Sequence, residues 1–377
     1  MKLKISHAVF LLLLVAEPAF SVSSDCEVVK YTSRYELKNS TLAQTDTIVF
    51  QINNRNGEKY TEITIPYSKI VKVSDIEGWI EDSNGKVVRK LKSNDIIDRS
   101  EFEEYALYKD SYVKSFSLKH NSYPYKIYYT YKTTQTQFTC IADWSPVLYS
   151  KVLTRDAKLY ITLPKNYSVK RYVRGATLVK SDSTSNDFNR YEFISSYDKI
   201  YREQLFSEPF EDIKPRVVIV PTEFFYGVNG RSGSWVDYGN WFLTLNKGLL
   251  ALPDSEEQVV AELLKGITDP KEKVKALYYY LQDHTRYINV SIGVGGYQSY
   301  PASYVAQNKY GDCKALTNYM MALLKYAGVK SFYTLINASL QPEKVIEDLP
   351  FPQFNHIILC VPLAKDTIWL ENTSSTE

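Results

Sequence analysis

Histidine and cysteine are scarce in this chain, with four of each among 377 residues. Cys26, Cys140, Cys313 and Cys360 are widely scattered and form no C-x-x-C pair, which supports neither a zinc site nor a thioredoxin-like motif. An excess of one charge is missing too: 45 Lys and Arg stand against 43 Asp and Glu, a net charge of +2. That balance removes the electrostatic footprint of a dedicated nucleic-acid binder, and no run of like charges marks a tail. Neither a metal-ligand cluster nor a nucleotide motif is visible, and no cofactor is expected. Long apolar runs are also absent. The longest, AVFLLLLVA from Ala8 to Ala16, is about half of the ~20 residues that span a bilayer. Lys2 and Lys4 precede it, and the small-residue sequence Ala19-Phe20-Ser21 follows. Residues 1–23 therefore read as a signal peptide with no transmembrane segment after cleavage. An exported protein, periplasmic or extracellular, is expected.

Tyrosine is what the chain has in plenty, 32 residues against 15 Gly and 15 Pro. Tyrosine favours strands and amphipathic surfaces. From Val28 to about Tyr201 the pattern is strand after strand. Tyr125, Ile127, Tyr129 and Tyr131 alternate onto one face, as do Leu159, Ile161 and Leu163. Turn signals such as Asn54–Gly57 and Asp82–Gly85 separate the runs. The expectation is a β-rich domain over residues 24–228, antiparallel and sandwich-like, with no catalytic constellation of its own.

The texture changes after Gly227–Ser234 (GVNGRSGS), which reads as a linker. Thr268-Asp269-Pro270 is a helix start with Pro in the first turn, and Val274, Leu277, Tyr278 and Leu281 recur at helical spacing to about His284. A second helix opens near Cys313, carries an apolar stripe from Leu316 to Ala327 and stops at Gly328. Two strands follow, Asn355–Val361 and Asp366–Glu371. Residues 229–377 are thus expected to form an α+β domain.

Gly311-Asp312-Cys313-Lys314 opens the second helix. A cysteine in a helix's first turn faces unpaired N–H groups and the positive dipole end, which favour thiolate and could hold an oxyanion. Taken alone, such a residue is as well read as a small apolar side chain packed at a helix end. His356 alters the balance. If residues 362–365 form the turn between the two strands, paired residue numbers total 727 and His356 meets Glu371. A carboxylate beside an imidazole orients a general base. A one-residue slip would bring Asn372 there instead.

The run Tyr310–Val329 (YGDCKALTNYMMALLKYAGV) resembles the nucleophile helix of the transglutaminase-like superfamily. Phe354–Val361 resembles its histidine strand, and Ile368–Thr373 its acid strand, with Glu371 where Asp is usual. The Tyr-rich domain in front is similar to the domain of unknown function 3857 type that precedes such cores in exported bacterial proteins. The resemblance implies a papain-like thiol fold with Cys313 as nucleophile, His356 as base and Glu371 as orienting acid. It further implies a protein or peptide substrate, and amide or acyl hydrolysis more than transfer to an amine. Gln298, after the glycine-rich Gly293–Gly296, is a candidate second oxyanion donor; a plain loop is the simpler reading of that stretch. The competing function is a catalytically inactive exported scaffold whose β domain binds a glycan, peptide or surface partner. A disulfide from Cys313 to Cys360 or Cys140 would also argue against catalysis.

Overall fold

The computed structural model describes residues 24–100, 106–109, 111–182, 187–202, 204–291 and 296–374. The signal-peptide expectation for residues 1–23 lies outside them. The polypeptide first builds an eight-stranded sheet. Its strands run in the order Thr177–Asp182, Phe188–Tyr197, Leu153–Pro164, Cys26–Lys38, Thr41–Ile52, Tyr125–Gln135, Lys72–Glu81 and Val87–Lys90. Alternation sets the faces: Tyr125, Ile127 and Tyr129 are buried, as are Leu159, Ile161 and Leu163. A three-stranded sheet of Glu62–Tyr67, Tyr112–Ser117 and Ile97–Ser100 packs on this core through Ile63, Ile65 and Phe116. Within the eight-stranded sheet the antiparallel expectation fails at one place. Cys26–Lys38 lies parallel to Leu153–Pro164, with Glu27 opposite Leu153 and Glu36 opposite Thr162.

A second three-stranded sheet joins the two halves of the protein. Its central strand, Arg216–Pro221, lies between Ala142–Trp144 and Val169–Arg174. Both faces of the central strand are covered. Val217 and Ile219 enter the core of the β domain, while Val218 and Val220 meet Leu349 and Phe351 from beyond residue 340.

Where the sequence reads as a linker, the chain folds as the hairpin Glu223–Tyr226/Val228–Arg231, followed by a helix, Trp235–Leu245. The expected domain boundary at residue 228 falls inside this hairpin. Its glycines serve geometry rather than slack. Gly227 takes the turn at φ +68°, and a Cβ on Gly230 would sit 2.5 Å from the Phe224 ring and 2.6 Å from Trp241. Ser234 caps the helix, its hydroxyl accepting from Asp237 N.

Helices Asp254–Leu263, Pro270–His284, Ala302–Asn308 and Cys313–Tyr326 come next. Asp269 caps the second of these, with Pro270 at its start, and Gly328 sits at φ +73° just past the last. Both ends are as the sequence predicts. The final sheet is an antiparallel trio of Phe332–Ile336, His356–Pro362 and Thr367–Leu370, with the second in the middle. The protein is thus α+β, a sheet-rich domain followed by a helical one with a small sheet. Among the described residues no helix is long and apolar enough to cross a membrane.

Candidate active site

Cys313 is the first residue of a helix whose inner face carries Leu316, Tyr319, Met320, Leu323 and Leu324, all almost wholly buried. Asp312 is the N-cap: its Oδ1 accepts from Ala315 N at 2.9 Å, and its other oxygen meets Lys314 Nζ at 2.5 Å. Gly311 is required just before it, because a Cβ there would lie 2.7 Å from that of Ala315. The helix is also held from behind. The Tyr319 hydroxyl, and that of Tyr280 at 2.8 Å, donate to Glu256, which Lys309 approaches at 3.3 Å. This network ties four helices together, and no short-range sequence pattern announces it.

His356 opens the middle strand, and its Nε2 lies 2.6 Å from Glu371 Oε2. Hydrogen bonding with Cys313, and next with Glu371, outweighs burial and raises its pKa to about 9. Burial pushes the Glu371 carboxyl up, but hydrogen bonds from His356 and Thr373 overcome this and bring it down to about 2. Thr373 supplies both its hydroxyl, at 2.6 Å, and its backbone N–H, at 2.9 Å, to the far oxygen Oε1. The carboxylate is therefore held at both ends. Titration of the His356 ring by NMR is expected to centre near pH 9 and to move toward the ordinary 6.5 in Glu371→Gln. An unchanged midpoint in that variant would contradict this assignment.

The strand register differs from the expected one. Leu359 faces Leu370, Cys360 faces Trp369, Val361 faces Ile368 and Pro362 faces Thr367, so paired numbers total 729 rather than 727. The turn spans 363–366, closed by Leu363 N–H to Asp366 O at 2.8 Å, and Pro362 still belongs to the strand. An even slip keeps every side chain on its face. Continuing this ladder would set Glu371 beside Ile358, two residues from His356. The contact is thus diagonal, a span that long side chains cover, and the extra methylene of Glu over Asp suits it. Asn372, the other candidate, is buried and donates to Thr317 Oγ1 at 3.0 Å and Leu370 O at 3.2 Å. It ties the strand end to the Cys313 helix.

The structure thus brings Cys313, His356 and Glu371 together and leaves Gln298 aside. The Gln298 Nε2 donates to Leu245 O at 2.9 Å, and the residue is not among those lining the cleft. Gly293–Gly295 of the preceding loop lie outside the described residues; Gly296 and Tyr297 border the cleft. His284 Nδ1 contacts Tyr280 O at 2.9 Å, and His120 packs edge-on against Tyr125. All four cysteines are free, so Cys313 is bridged to neither Cys140 nor Cys360. Among the described residues no group of His, Cys, Asp and Glu could hold a metal ion. Cys313, Lys314 and His356 open into a cleft of about 270 Å³ whose other walls are largely aromatic and aliphatic. A thiol at a helix N-terminus beside a carboxylate-oriented imidazole has the layout required for nucleophilic attack on a carbonyl.

The second half of the protein has a transglutaminase-like fold. Residues 257–341 match the transglutaminase-like superfamily, a match that includes Cys313 and ends before His356. Residues 38–196 match the family described as a domain of unknown function with a solved structure, DUF3857. The chain therefore carries a transglutaminase-like domain behind a DUF3857 domain. Among solved structures, a "putative protease" from Parabacteroides distasonis shares the fold. It has a TM-score of 0.69 at 13% identity, over 92% of this chain and 67% of that one. A "putative cysteine protease" from Cytophaga hutchinsonii aligns over 88% of this chain and 76% of its own, with 10% identity and a TM-score of 0.26. Aminopeptidase A of Legionella pneumophila aligns over 53% of this chain and 22% of its own, with 9% identity and a TM-score of 0.29. No curated protein matches in sequence.

Proposed function

We propose that this protein is an exported thiol hydrolase that cleaves an amide or related acyl bond in a protein or peptide. The observation that carries the reading is the 2.6 Å contact from His356 Nε2 to Glu371 Oε2, made on an imidazole that lines one cleft with Cys313. In this scheme the Cys313 sulfur attacks the carbonyl carbon and the electron pair moves to oxygen, where N–H groups of the helix's first turn stabilise it. His356, protonated, gives its proton to the departing amine as the C–N bond breaks, leaving a thioester. Water then attacks the thioester as His356 takes its proton. The carboxylic acid departs, and thiolate and imidazolium are restored. Glu371 holds the ring in place and stabilises its positive charge throughout. The protease named as sharing the fold supports water over an amine as acceptor, and the amino-terminal pattern of residues 2–21 supports export.

The Cys313→Ala variant is expected to lose all peptide hydrolysis while melting within a few degrees of the wild type. Hydrolysis surviving this substitution would sink the reading. Incorporation of a labelled amine in preference to release of acid would replace hydrolysis with transfer.

A further inference from the structure

The residues that line the cleft all lie beyond residue 228, yet the β domain holds segments that carry them. Tyr238 and Tyr297 both line the cleft. In the β domain, Gln137 Oε1 accepts from Gly227 N at 2.9 Å and fixes the turn of the hairpin that carries Tyr226. The Tyr226 ring in turn stands edge-on to Tyr297, with centroids 5.0 Å apart.

More of the lining comes from the segment between the strands Phe332–Ile336 and His356–Pro362, and the β domain holds this segment too. Arg216 makes a two-pronged contact with Asp143, at 2.7 and 2.6 Å, and reaches Glu343 through Nη1 at 2.6 Å. Its guanidinium lies 5.8 Å from the centre of the Phe351 ring. Phe351 and Leu349 are buried on Val218 and Val220. Pro352, Phe354 and Asn355, the next residues toward His356, line the cleft. They also border a second cavity of about 200 Å³ that Arg216 lines too.

We propose that the β domain frames the catalytic cleft, with Gln137, through the Gly227 turn and Tyr226, positioning Tyr297, and Arg216, through Glu343, positioning the Pro352–Asn355 wall, so that this domain governs which acyl groups reach Cys313. The assignment rests on the reading of Cys313 as the nucleophile, yet it is tested separately. A mere tie between domains would leave the selectivity of the thiol untouched when weakened; a frame would not.

The test compares two alkylating agents acting on Cys313 in the full chain. Iodoacetamide is compact and needs little of the walls, whereas a chloromethyl ketone bearing a phenylalanyl group must lie against them. The ratio of the two rates is expected to turn about tenfold against the phenylalanyl reagent in Gln137→Leu and in Glu343→Gln, as befits sub-ångström displacement of a binding wall. Gln137→Glu keeps an accepting side-chain oxygen and is expected to keep the wild-type ratio. Cooperative melting checks that each variant is folded. A ratio unchanged in both Gln137→Leu and Glu343→Gln overturns the proposal, as does an equal loss with the two reagents. An iodoacetamide rate indifferent to His356→Ala would instead count against the hydrolase reading, while the ratio would still judge the walls.

Discussion

The His356→Ala variant is expected to acylate Cys313 roughly 10²–10⁴ times more slowly than the wild type in single-turnover peptide cleavage. Two contributions vanish together. The thiol loses its proton acceptor, and the leaving amine loses its donor. Because the His356 pKa is raised to about 9, the ring carries a proton throughout the neutral range. Wild-type acylation should therefore persist upward in pH until it declines through about 9, as the imidazolium gives up the proton owed to the leaving group. In the variant that decline should disappear, since no ring remains to titrate there. Added imidazole, small enough for a 270 Å³ cleft, should restore part of the rate. A loss below tenfold, or a decline near pH 9 that persists without His356, would contradict the assigned role.

The second large effect concerns stability. Asp312 and Lys314 flank the nucleophile, with side chains only 1% and 8% exposed and a 2.5 Å contact between their charged groups. Removing one member of such a pair leaves a buried charge without its counterpart, at a cost of about 3–5 kcal/mol. Asp312→Asn should show this cost in urea unfolding even though the amide oxygen can still accept from Ala315 N. Lys314→Met should cost a similar amount. The double variant Asp312→Asn/Lys314→Met is expected to recover most of the loss, because a buried pair replaced as a unit is often nearly neutral. Additive losses in the double variant would mean that the two residues act independently and that the contact contributes little.

Much of the site was legible before any coordinates, for local reasons. Asp269-Pro270 and Gly328 punctuate helices through their own backbone preferences, and Gly311-Asp312 sets the start of the Cys313 helix. The pairing of His356 with Glu371 was reached through the wrong register. It held because a shift of two residues keeps the same face, and because a glutamate covers the diagonal. What escaped the sequence depends on distant partners. Gly227 and Gly230 look like slack in isolation; only with Phe224 and Trp241 in place is Gly230 seen to be a close approach. The double burial of Arg216–Pro221 needs Leu349 and Phe351 from far along the chain. Nearness in sequence to the nucleophile makes Gln298 a candidate oxyanion donor, whereas its amide is taken up by the Leu245 carbonyl.

The parallel pairing of Cys26–Lys38 with Leu153–Pro164 bears on how the protein comes into being. As the chain emerges, Cys26–Lys38 can zip at once to Thr41–Ile52 through a tight turn, but its other edge stays open until residue 164 has followed. Closing so long a loop is slow, because its entropy must be spent before the non-local contacts form. During that interval a row of unpaired backbone N–H and C=O groups is offered to any passing chain. The first of the described strands is therefore among the last to be fully enclosed, and the nascent protein is open to misassembly along it.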